Sequence, residues 1–274
     1  MDNSIILDSM RWSFSSLNAY HTCPKMFELT YIKNVQPRKQ NAFALWGTFG
    51  HNLLEQYFTN KCEFYELSKK YTDEYFDNVY LKFPPNKYTD LNKSYFDAGK
   101  QYFDLFEGLP DNLEVVCVEQ RIDVKIDGYE FCGYIDLVLR DKNDGRYIIE
   151  DHKSKSGFKN AKEKKEYARQ LYLYAIYIYE TYGEYPKQLI FNMFRTQDEV
   201  VIDFNEDDFI EAKSWVSNTI KFIYAESLFD DKILTAYTSK GKPIEEYLKD
   251  DFFCNYLCSV RDFCSRSRDC RSKK

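Results

Sequence analysis

Two apolar stretches that end in acids decide the expected fold of this chain: Gly133-Tyr-Ile-Asp136 and Tyr147-Ile-Ile-Glu-Asp-His-Lys153. A short polar segment separates them, so we expect two neighbouring strands joined by a turn. Asp136 would leave the first strand and Asp151 would end the second, which brings both carboxylates to one spot. Two carboxylates at one spot repel each other unless a cation lies between them. The pair therefore predicts a site for a divalent metal ion.

The neighbours of Asp151 add to this expectation. Lys153 lies on the same strand face, because side chains alternate with period two, and a lysine there can orient water and offset charge on a phosphate. The backbone carbonyl of His152 could supply a further ligand. Glu150 is also acidic, but alternation points it to the other face, so Asp151 is the acid of the Asp-x-Lys pattern. That pattern alone is more often an exposed strand end than a site, and the Gly-x-x-Asp of the adjacent strand favours the site.

Two predicted helices carry the remaining polar candidates. His51 shares a helix face with Gly47 and Glu55. A neutral imidazole there could bind a metal, although a helical histidine is more often an ordinary hydrogen-bonded residue. Gln170 and Tyr174 are one helical turn apart, so they could line the same cleft, or they could simply cap and pack their helix on the sheet.

The order of elements along the chain predicts an α/β protein. We expect one domain over residues 1–274, with a mixed central sheet flanked by helices, a helical insertion at 60–110 and a cysteine-rich segment at 252–274. A hairpin turn is expected at Asp127-Gly128, and residues 153–165 are expected to be basic and flexible. The longer helices are expected at 42–58, 167–182 and 207–227, a shorter helix or extended segment at 25–32, and strands at 114–119, 121–126, 130–139, 146–151, 189–194 and 200–204.

Composition narrows the classes of function. The 274 residues carry a formal net charge of −6, so a nucleic acid could be met only through a local basic patch or through metal ions. Met1 to Met10 has no basic start of a secretory signal, and no apolar run approaches the length of a membrane span. A soluble, cytoplasmic protein is expected, in a bacterial, archaeal or phage-infected cell.

Taken in order, these elements resemble the PD-(D/E)XK nuclease superfamily. Within it they are most similar to the RecB-type exonucleases, which include the AddB nuclease domain and the CRISPR-associated Cas4 family. Six elements in one order are more specific than any single motif. The matching elements are Ser13-Phe-Ser-Ser-Leu17 leading to Cys23-Pro24, Gly47-Thr-Phe-Gly-His51, Gly133-Tyr-Ile-Asp136, Asp151-His-Lys153, Gln170-Leu-Tyr-Leu-Tyr174 and the C-terminal cysteines.

The resemblance implies a restriction-endonuclease-like core and a deoxyribonuclease that uses Mg²⁺ or Mn²⁺. His51, Asp136 and Asp151 would bind the ion together with the carbonyl of His152. Lys153 would position or polarise the attacking water.

Three further residues receive roles from the same resemblance. Gln170 and Tyr174 would line the cleft and touch DNA or the catalytic lysine. Glu119 is a weaker candidate, as an acid that would contact the metal ligands and not the metal itself.

Eight cysteines without a secretory signal argue against a disulfide framework. Cys254, Cys258 and Cys264 crowd the C-terminal end, and soft thiolates at such spacing favour Zn²⁺ or an iron–sulfur cluster. In the family that the chain resembles, one N-terminal and three C-terminal cysteines hold a 4Fe-4S cluster, which makes Cys23 the fourth ligand. The gap between the first two C-terminal cysteines is three residues here rather than the usual two, and Cys270 could replace Cys254. Structural zinc, or thiols that bind nothing, are the alternatives.

A basic run beside the predicted site is well placed to meet DNA phosphates, although charge runs are usually solvated faces. It comprises Lys153, Lys155, Lys159, Lys162, Lys164, Lys165 and Arg169, and the tail adds Arg261, Arg266, Arg268 and Arg271. The chain has no phosphate-binding loop of a helicase motor, so a helicase, recombination or integrase-type partner would supply any unwinding. The expected function is an exonuclease on single-stranded or end-containing DNA in recombination, repair, phage DNA processing or CRISPR adaptation. The alternative is a non-catalytic DNA-binding or assembly subunit that keeps the fold as a scaffold.

Overall fold

A five-stranded mixed sheet forms the centre of the computed structural model, which describes residues 3–225 and 252–264. The strands lie in chain order across the sheet. Strands β2 and β3 are antiparallel, β3 and β4 parallel, and β4 and β5 antiparallel. The strands are β1 Leu113–Ile126, β2 Tyr129–Asp141, β3 Tyr147–His152, β4 Gln188–Met193 and β5 Asp198–Asp203. This mixed sheet with flanking helices confirms the predicted α/β class and agrees with a restriction-endonuclease-like core.

The described ranges contain eight α-helices. They are α1 Asn3–Asp8, α2 Phe14–Thr22, α3 Pro24–Phe27, α4 Ala42–Phe58, α5 Leu67–Asn78, α6 Leu91–Leu105, α7 Ala161–Tyr182 and α8 Glu206–Ala225, with short π-helical turns at Glu28–Ile32 and Phe253–Leu257 and 3₁₀ turns at Phe64–Glu66 and Arg261–Phe263. No helix of the described residues is both long and apolar enough to cross a membrane.

Helix α7 begins earlier than predicted. The side chain of Asn160 accepts a hydrogen bond from the backbone N–H of Glu163 at 2.9 Å and so caps the helix. Residues 161–165, expected to be flexible, therefore form the start of α7. The hairpin turn between β1 and β2 is as predicted, with positive φ at Asp127 and Gly128.

The chain divides into two compact units. The larger comprises 42–124 and 132–214 and contains the central part of the sheet with α4 to α7. Trp46 is buried in its core, and its indole N–H donates to Tyr71 Oη at 2.9 Å. That hydroxyl donates in turn to the backbone carbonyl of Tyr95 at 3.2 Å. Because these buried polar groups are paired, their burial does not oppose the packing of the aromatic core against α4.

The smaller unit comprises the described residues of 1–41, 125–131 and 215–264. Ser13 caps α2 through a reciprocal pair of hydrogen bonds with Ser16. The backbone N–H of Trp12 donates to the carbonyl of Glu130 at 2.9 Å, which joins the N-terminal segment to β2. His21 hydrogen-bonds Thr219 at 2.8 Å, so this histidine has a structural role.

Candidate active site

The β2–β3 hairpin sets Asp136 beside Asp151. Leu137 pairs with Glu150 across the two strands, so the next residues along, Asp136 and Asp151, lie opposite each other on one face. The backbone N–H of His152 donates to Asp136 Oδ2 at 2.8 Å. Asp136 was expected to leave its strand, but it lies within β2. The antiparallel register, rather than a meeting of two strand ends, brings the carboxylates together.

Lys153 is held beside Asp151 by a chain of side-chain contacts. Its Nζ lies 2.6 Å from Asp151 Oδ2 and donates to Gln170 Oε1 at 3.0 Å. The Gln170 amide donates to Tyr174 Oη at 3.0 Å, one turn along α7. The Tyr174 ring packs directly on Gly133, where an added Cβ would lie 2.7 Å from ring atom Cε1. The glycine of the first quoted stretch therefore makes room for this tyrosine.

His51, Glu119 and Asp136 form a compact group of possible metal ligands. One ligand atom from each lies within 4.8 Å of the other two, and His51 Nδ1 is 3.4 Å from Asp136 Oδ2. Helix α4 packs closely against Phe194 at Gly50, where an added Cβ would lie 2.7 Å from the ring. The group opens onto a cleft of about 480 Å³ that is also lined by Gly47, Thr48, Asn52, Glu55 and Ser154.

Glu119 reaches this group because its backbone departs from strand geometry. Its φ is +48°, in the left-handed region, although it lies in the middle of β1. Such a residue breaks the regular alternation of side chains and redirects the one it carries. Alternation along β1 cannot predict where Glu119 points, and the family resemblance marks it only as a weaker candidate.

Burial and mutual repulsion perturb the acids of the site. Burial, followed by the charge of Asp151, raises the pKa of Asp136 well above its ordinary value. Burial also raises the pKa of Glu119, and Glu55 and Asp151 add to that effect. Burial lowers the pKa of His51, and the attraction of Asp151 partly opposes this shift. The site thus resists full ionisation unless a cation compensates the carboxylates.

The donor set could bind a divalent cation. Glu119 and Asp136 offer carboxylate oxygens and His51 offers an imidazole nitrogen. His51 also hydrogen-bonds the backbone of His152, which keeps that backbone within reach of the group. Within residues 3–225 and 252–264, no other set of three His, Cys, Asp or Glu side chains brings its ligand atoms this close. Asp151, assigned to the metal from sequence, lies next to the group and contacts Lys153.

The side chains of Glu150 and His152 lie on the opposite face of the sheet. His152 Nδ1 is 3.4 Å from Glu150 Oε1 and 3.3 Å from Asn192 Nδ2, and Asn192 donates to Tyr102 Oη at 2.7 Å. Burial, and then the charge of Glu199, raises the pKa of Glu150 to about 8. His152 therefore donates its backbone N–H to Asp136, while its ring lies on the Glu150 face and meets the His51 ring edge-on, with 5.6 Å between centroids.

The basic run next to the site is partly neutralised by acids. Lys162, one turn from Glu166 (3.9 Å), is largely exposed. Three others have closer acidic partners: Lys155 with Glu163 (3.0 Å), Lys165 with Asp208 (2.7 Å) and Arg169 with Glu211 (2.6 Å). Pairs at the surface are weak, so they can exchange an acid for a phosphate. Arg266, Arg268 and Arg271 lie outside the described residues.

Four thiols surround one small cavity in the smaller unit. Cys23 lines it together with Cys254, Cys258 and Cys264, and the apolar side chains of Leu29 and Val260 lie against it. Burial raises the pKa of Cys258 to about 11, and the neighbouring Cys23 and Cys264 contribute to the shift. The cavity is about 10 Å³, enough for one water molecule or ion. Cys270 lies outside the described residues.

Comparison with known proteins identifies the family. The family model of the PD-(D/E)XK nuclease superfamily matches residues 11–265. The chain belongs to this superfamily. No curated protein gives a match. The PD-(D/E)XK chain is similar to the solved structure titled "Crystal structure of SSO0001", at 13% identity over 88% of this chain and 97% of the other. The TM-score is 0.30, so this likeness carries no argument about function.

Proposed function

We propose that this protein is a metal-dependent DNA nuclease that hydrolyses phosphodiester bonds. One observation carries the proposal. His51, Glu119 and Asp136 bring ligand atoms within 4.8 Å of one another in an open cleft, and the Asp151–Lys153 pair lies alongside. Phosphodiester hydrolysis by a metal enzyme needs a cation site and a positioned group that stabilises charge on the phosphate. Membership of a nuclease superfamily supports the same conclusion.

Mg²⁺ or Mn²⁺ would be held by His51, Asp136 and Glu119, with Asp151 and the His152 carbonyl as further ligands. Such an ion, when bound, lowers the pKa of a water molecule and offsets negative charge on the phosphate. The backbone N–H of His152 orients one oxygen of Asp136. The fixed carboxylate leaves its other oxygen free to point at the cation.

Lys153 supplies the positioned positive charge. A lysine ammonium has three N–H donors; that of Lys153 donates to Gln170 and forms an ion pair with Asp151. This leaves N–H donors for a water molecule or a phosphate oxygen. Tyr174 fixes Gln170, so both residues act as positioning residues that limit where the ammonium can lie.

We propose DNA with single strands or free ends as the substrate, cut as an exonuclease. The resemblance to RecB-type and Cas4-like nucleases supports this choice, and the exposed Lys162 and the ion-paired Lys155, Lys165 and Arg169 offer phosphate contacts. A helicase, recombination or integrase-type partner would deliver the DNA. The cellular role would be recombination, repair, phage DNA processing or CRISPR adaptation, in the cytoplasm.

The four cysteines would hold a 4Fe-4S cluster, with structural Zn²⁺ as the alternative. The clustering of Cys23, Cys254, Cys258 and Cys264 around one cavity supports a metal centre. The family resemblance favours the iron–sulfur cluster. Among the described residues, no three of these thiols bring their sulfur atoms within 4.8 Å of one another, so a single zinc ion, with Zn–S bonds of about 2.3 Å, would require them to approach.

Degradation of labelled DNA tests the proposal. Linear single-stranded DNA with a label at either end and a circular single strand are incubated with Mn²⁺ and the intact protein, Lys153→Ala or Lys69→Ala. We expect loss of the linear strands alone, and loss of activity only in Lys153→Ala, since Lys69 has a 79% exposed side chain and belongs neither to the cleft nor to the basic run. DNA binding without degradation by any of the three proteins would instead support a non-catalytic subunit. Cleavage of the circle would contradict exonuclease action.

A further inference from the structure

An apolar groove lies on the helical pair α5–α6, away from the candidate active site. It encloses about 490 Å³ between α5, the segment 79–83 and α6. Tyr75, Phe76, Val79, Tyr80 and Phe96 are among the side chains that line it. This volume is in the range of ordinary ligand-binding pockets, and none of these residues has a part in the metal site.

A buried hydroxyl in this groove lacks a hydrogen bond. Tyr75 is 3% exposed, and no described residue hydrogen-bonds its Oη. Its ring meets the rings of Phe76 and Phe96 edge-on, at 5.2 and 4.8 Å, and neither offers an acceptor of ordinary strength. Buried polar groups are nearly always paired. The oxygen itself is closed to solvent, so an occupant with an acceptor oxygen would satisfy this hydroxyl once the rings around it move apart.

The aromatic rim indicates how large the occupant is. Phe76 is 74% exposed and Tyr80 62%, so both extend beyond the cavity into solvent. A small molecule inside the cavity would leave these rings in water. A peptide lying across the groove would cover them, and exposed aromatic side chains of this kind are enriched at protein–protein contacts.

The charges around the groove limit the occupant further. Of the described residues that line it, the charged ones are Lys82 and Lys93, so a carboxylate would be attracted. Lys93 is already paired with Asp97, and Asp77 lies exposed next to the aromatic rim. A continuous polyphosphate chain would be repelled by these acids, whereas one or two carboxylates could bind the lysines without approaching them.

We propose that this groove docks a peptide segment of a partner protein in which a large apolar side chain stands next to a carboxylate. The apolar side chain fills the cavity against Val79 and Phe96. The carboxylate reaches Lys82, and a peptide oxygen accepts a hydrogen bond from Tyr75. Phe76 and Tyr80 close over the peptide. The docking surface does not depend on nuclease activity.

Fluorescence anisotropy with three labelled peptides tests the composition of the occupant. The probe is Gly-Asp-Leu-Trp-Asp-Gly, and the controls carry lysine for both aspartates or serine for Leu-Trp. We expect saturable binding of the probe and about tenfold weaker binding of each control. Equal binding of all three peptides, or no saturation up to about 1 mM probe, would overturn the proposal.

Substitutions locate the binding. Phe76→Ser and Lys82→Glu are each expected to weaken the probe about tenfold. Tyr65→Ser and Lys61→Glu serve as matched controls, since Tyr65 is 70% exposed and Lys61 has a 61% exposed side chain, and both lie outside the groove. Nuclease activity should be unchanged in all four. Equal effects of groove and control substitutions would refute the location, and loss of affinity for a single-stranded oligonucleotide in Phe76→Ser would assign the groove to nucleic acid instead.

Tyr75→Phe separates binding from folding. Removing an unpaired buried hydroxyl should leave thermal stability the same or higher, while the probe loses its hydrogen bond and binds several-fold more weakly. Lower thermal stability, or unchanged affinity for the probe, would show that the hydroxyl does not donate a hydrogen bond to the peptide.

Discussion

Two variants of adjacent residues, Glu150→Gln and Asp151→Asn, test which face of β3 carries the candidate site. Glutamine keeps the size of Glu150 but cannot ionise. Glu150 is buried on the face away from the candidate site, whereas Asp151 contacts Lys153. We expect Glu150→Gln to stabilise the protein and to keep activity, and Asp151→Asn to lose activity by at least about 100-fold, the scale of removing one polar catalytic group.

The size of the stabilisation follows from the pKa of Glu150, which burial raises from 4.5 to about 8. Below pH 4.5 the carboxyl is protonated in both the folded and the unfolded chain, so it has no effect on stability. Between these two values the unfolded chain releases the proton and the folded chain keeps it, which costs about 1.36 kcal/mol of folding free energy per pH unit. The cost is about 3 kcal/mol at pH 7 and reaches about 5 kcal/mol above pH 8. These figures are ceilings, because the glutamine amide must itself be buried.

Urea unfolding followed by circular dichroism, in the absence of divalent metal and at several values of pH, measures this difference. The gain of Glu150→Gln over the unmodified chain should grow steadily as the pH rises from about 5 to about 8 and then level off. A gain that does not change with pH, or a loss at every pH, would refute the electrostatic argument. Loss of nuclease activity in Glu150→Gln with activity retained in Asp151→Asn would show that the two acids have been assigned to the wrong faces.

Three further outcomes are expected. Glu119→Gln should weaken Mn²⁺ binding, measured by calorimetry, by at least about tenfold, because it removes one of the charged ligand oxygens, and an unchanged affinity would exclude Glu119 from the metal site. Gly133→Ala should cost about 1–3 kcal/mol in urea unfolding and displace Tyr174, since the new Cβ overlaps its ring, and wild-type stability would show that the ring can move freely. If the cysteine centre is an iron–sulfur cluster, Cys258→Ala should abolish the brown colour and visible absorption of the protein. A colourless protein that loses zinc on the same substitution would instead assign zinc. Cys117→Ala, outside the cluster, should change neither metal content nor colour.

The sequence predicts the architecture well where short-range signals are strong. Helix α4 has its predicted bounds, Ala42–Phe58, because its apolar spacing is regular over four turns. The Asp127-Gly128 turn also matches, since two residues with positive φ suit that hairpin. The predicted start of α7 is wrong because a run of lysines obscures the capping signal, which is Asn160 followed by Glu163 three residues later. This capping signal is local, so residues 160–163 are themselves sufficient to predict where the helix begins.

The candidate site is predicted less completely, because it depends on contacts between distant elements. Alternation along β3 correctly separates Glu150 from Asp151, and the helical spacing of Gln170 and Tyr174 correctly predicts that they meet. The position of Glu119 depends on one residue with a positive φ inside a strand, which no periodicity reveals. The neutralisation of the basic run depends on acids of α8, about forty residues away in the chain, so the sequence overstates its free positive charge.

Strand β3 is buried from Ile148 to His152 on both faces, and this has a consequence for how its alignment is maintained. A slip of one residue that moved Lys153 to the position of His152 would exchange isoleucine for isoleucine at Ile148 and acid for acid at Glu150. The same slip would place Glu150 at the position of Ile149, which is 0% exposed, and Lys153 at the buried position of His152. Both shifted charges would lie in apolar or closed surroundings, which opposes the slip. The lysine that serves the proposed chemistry thus also helps to keep the strand in its proper alignment.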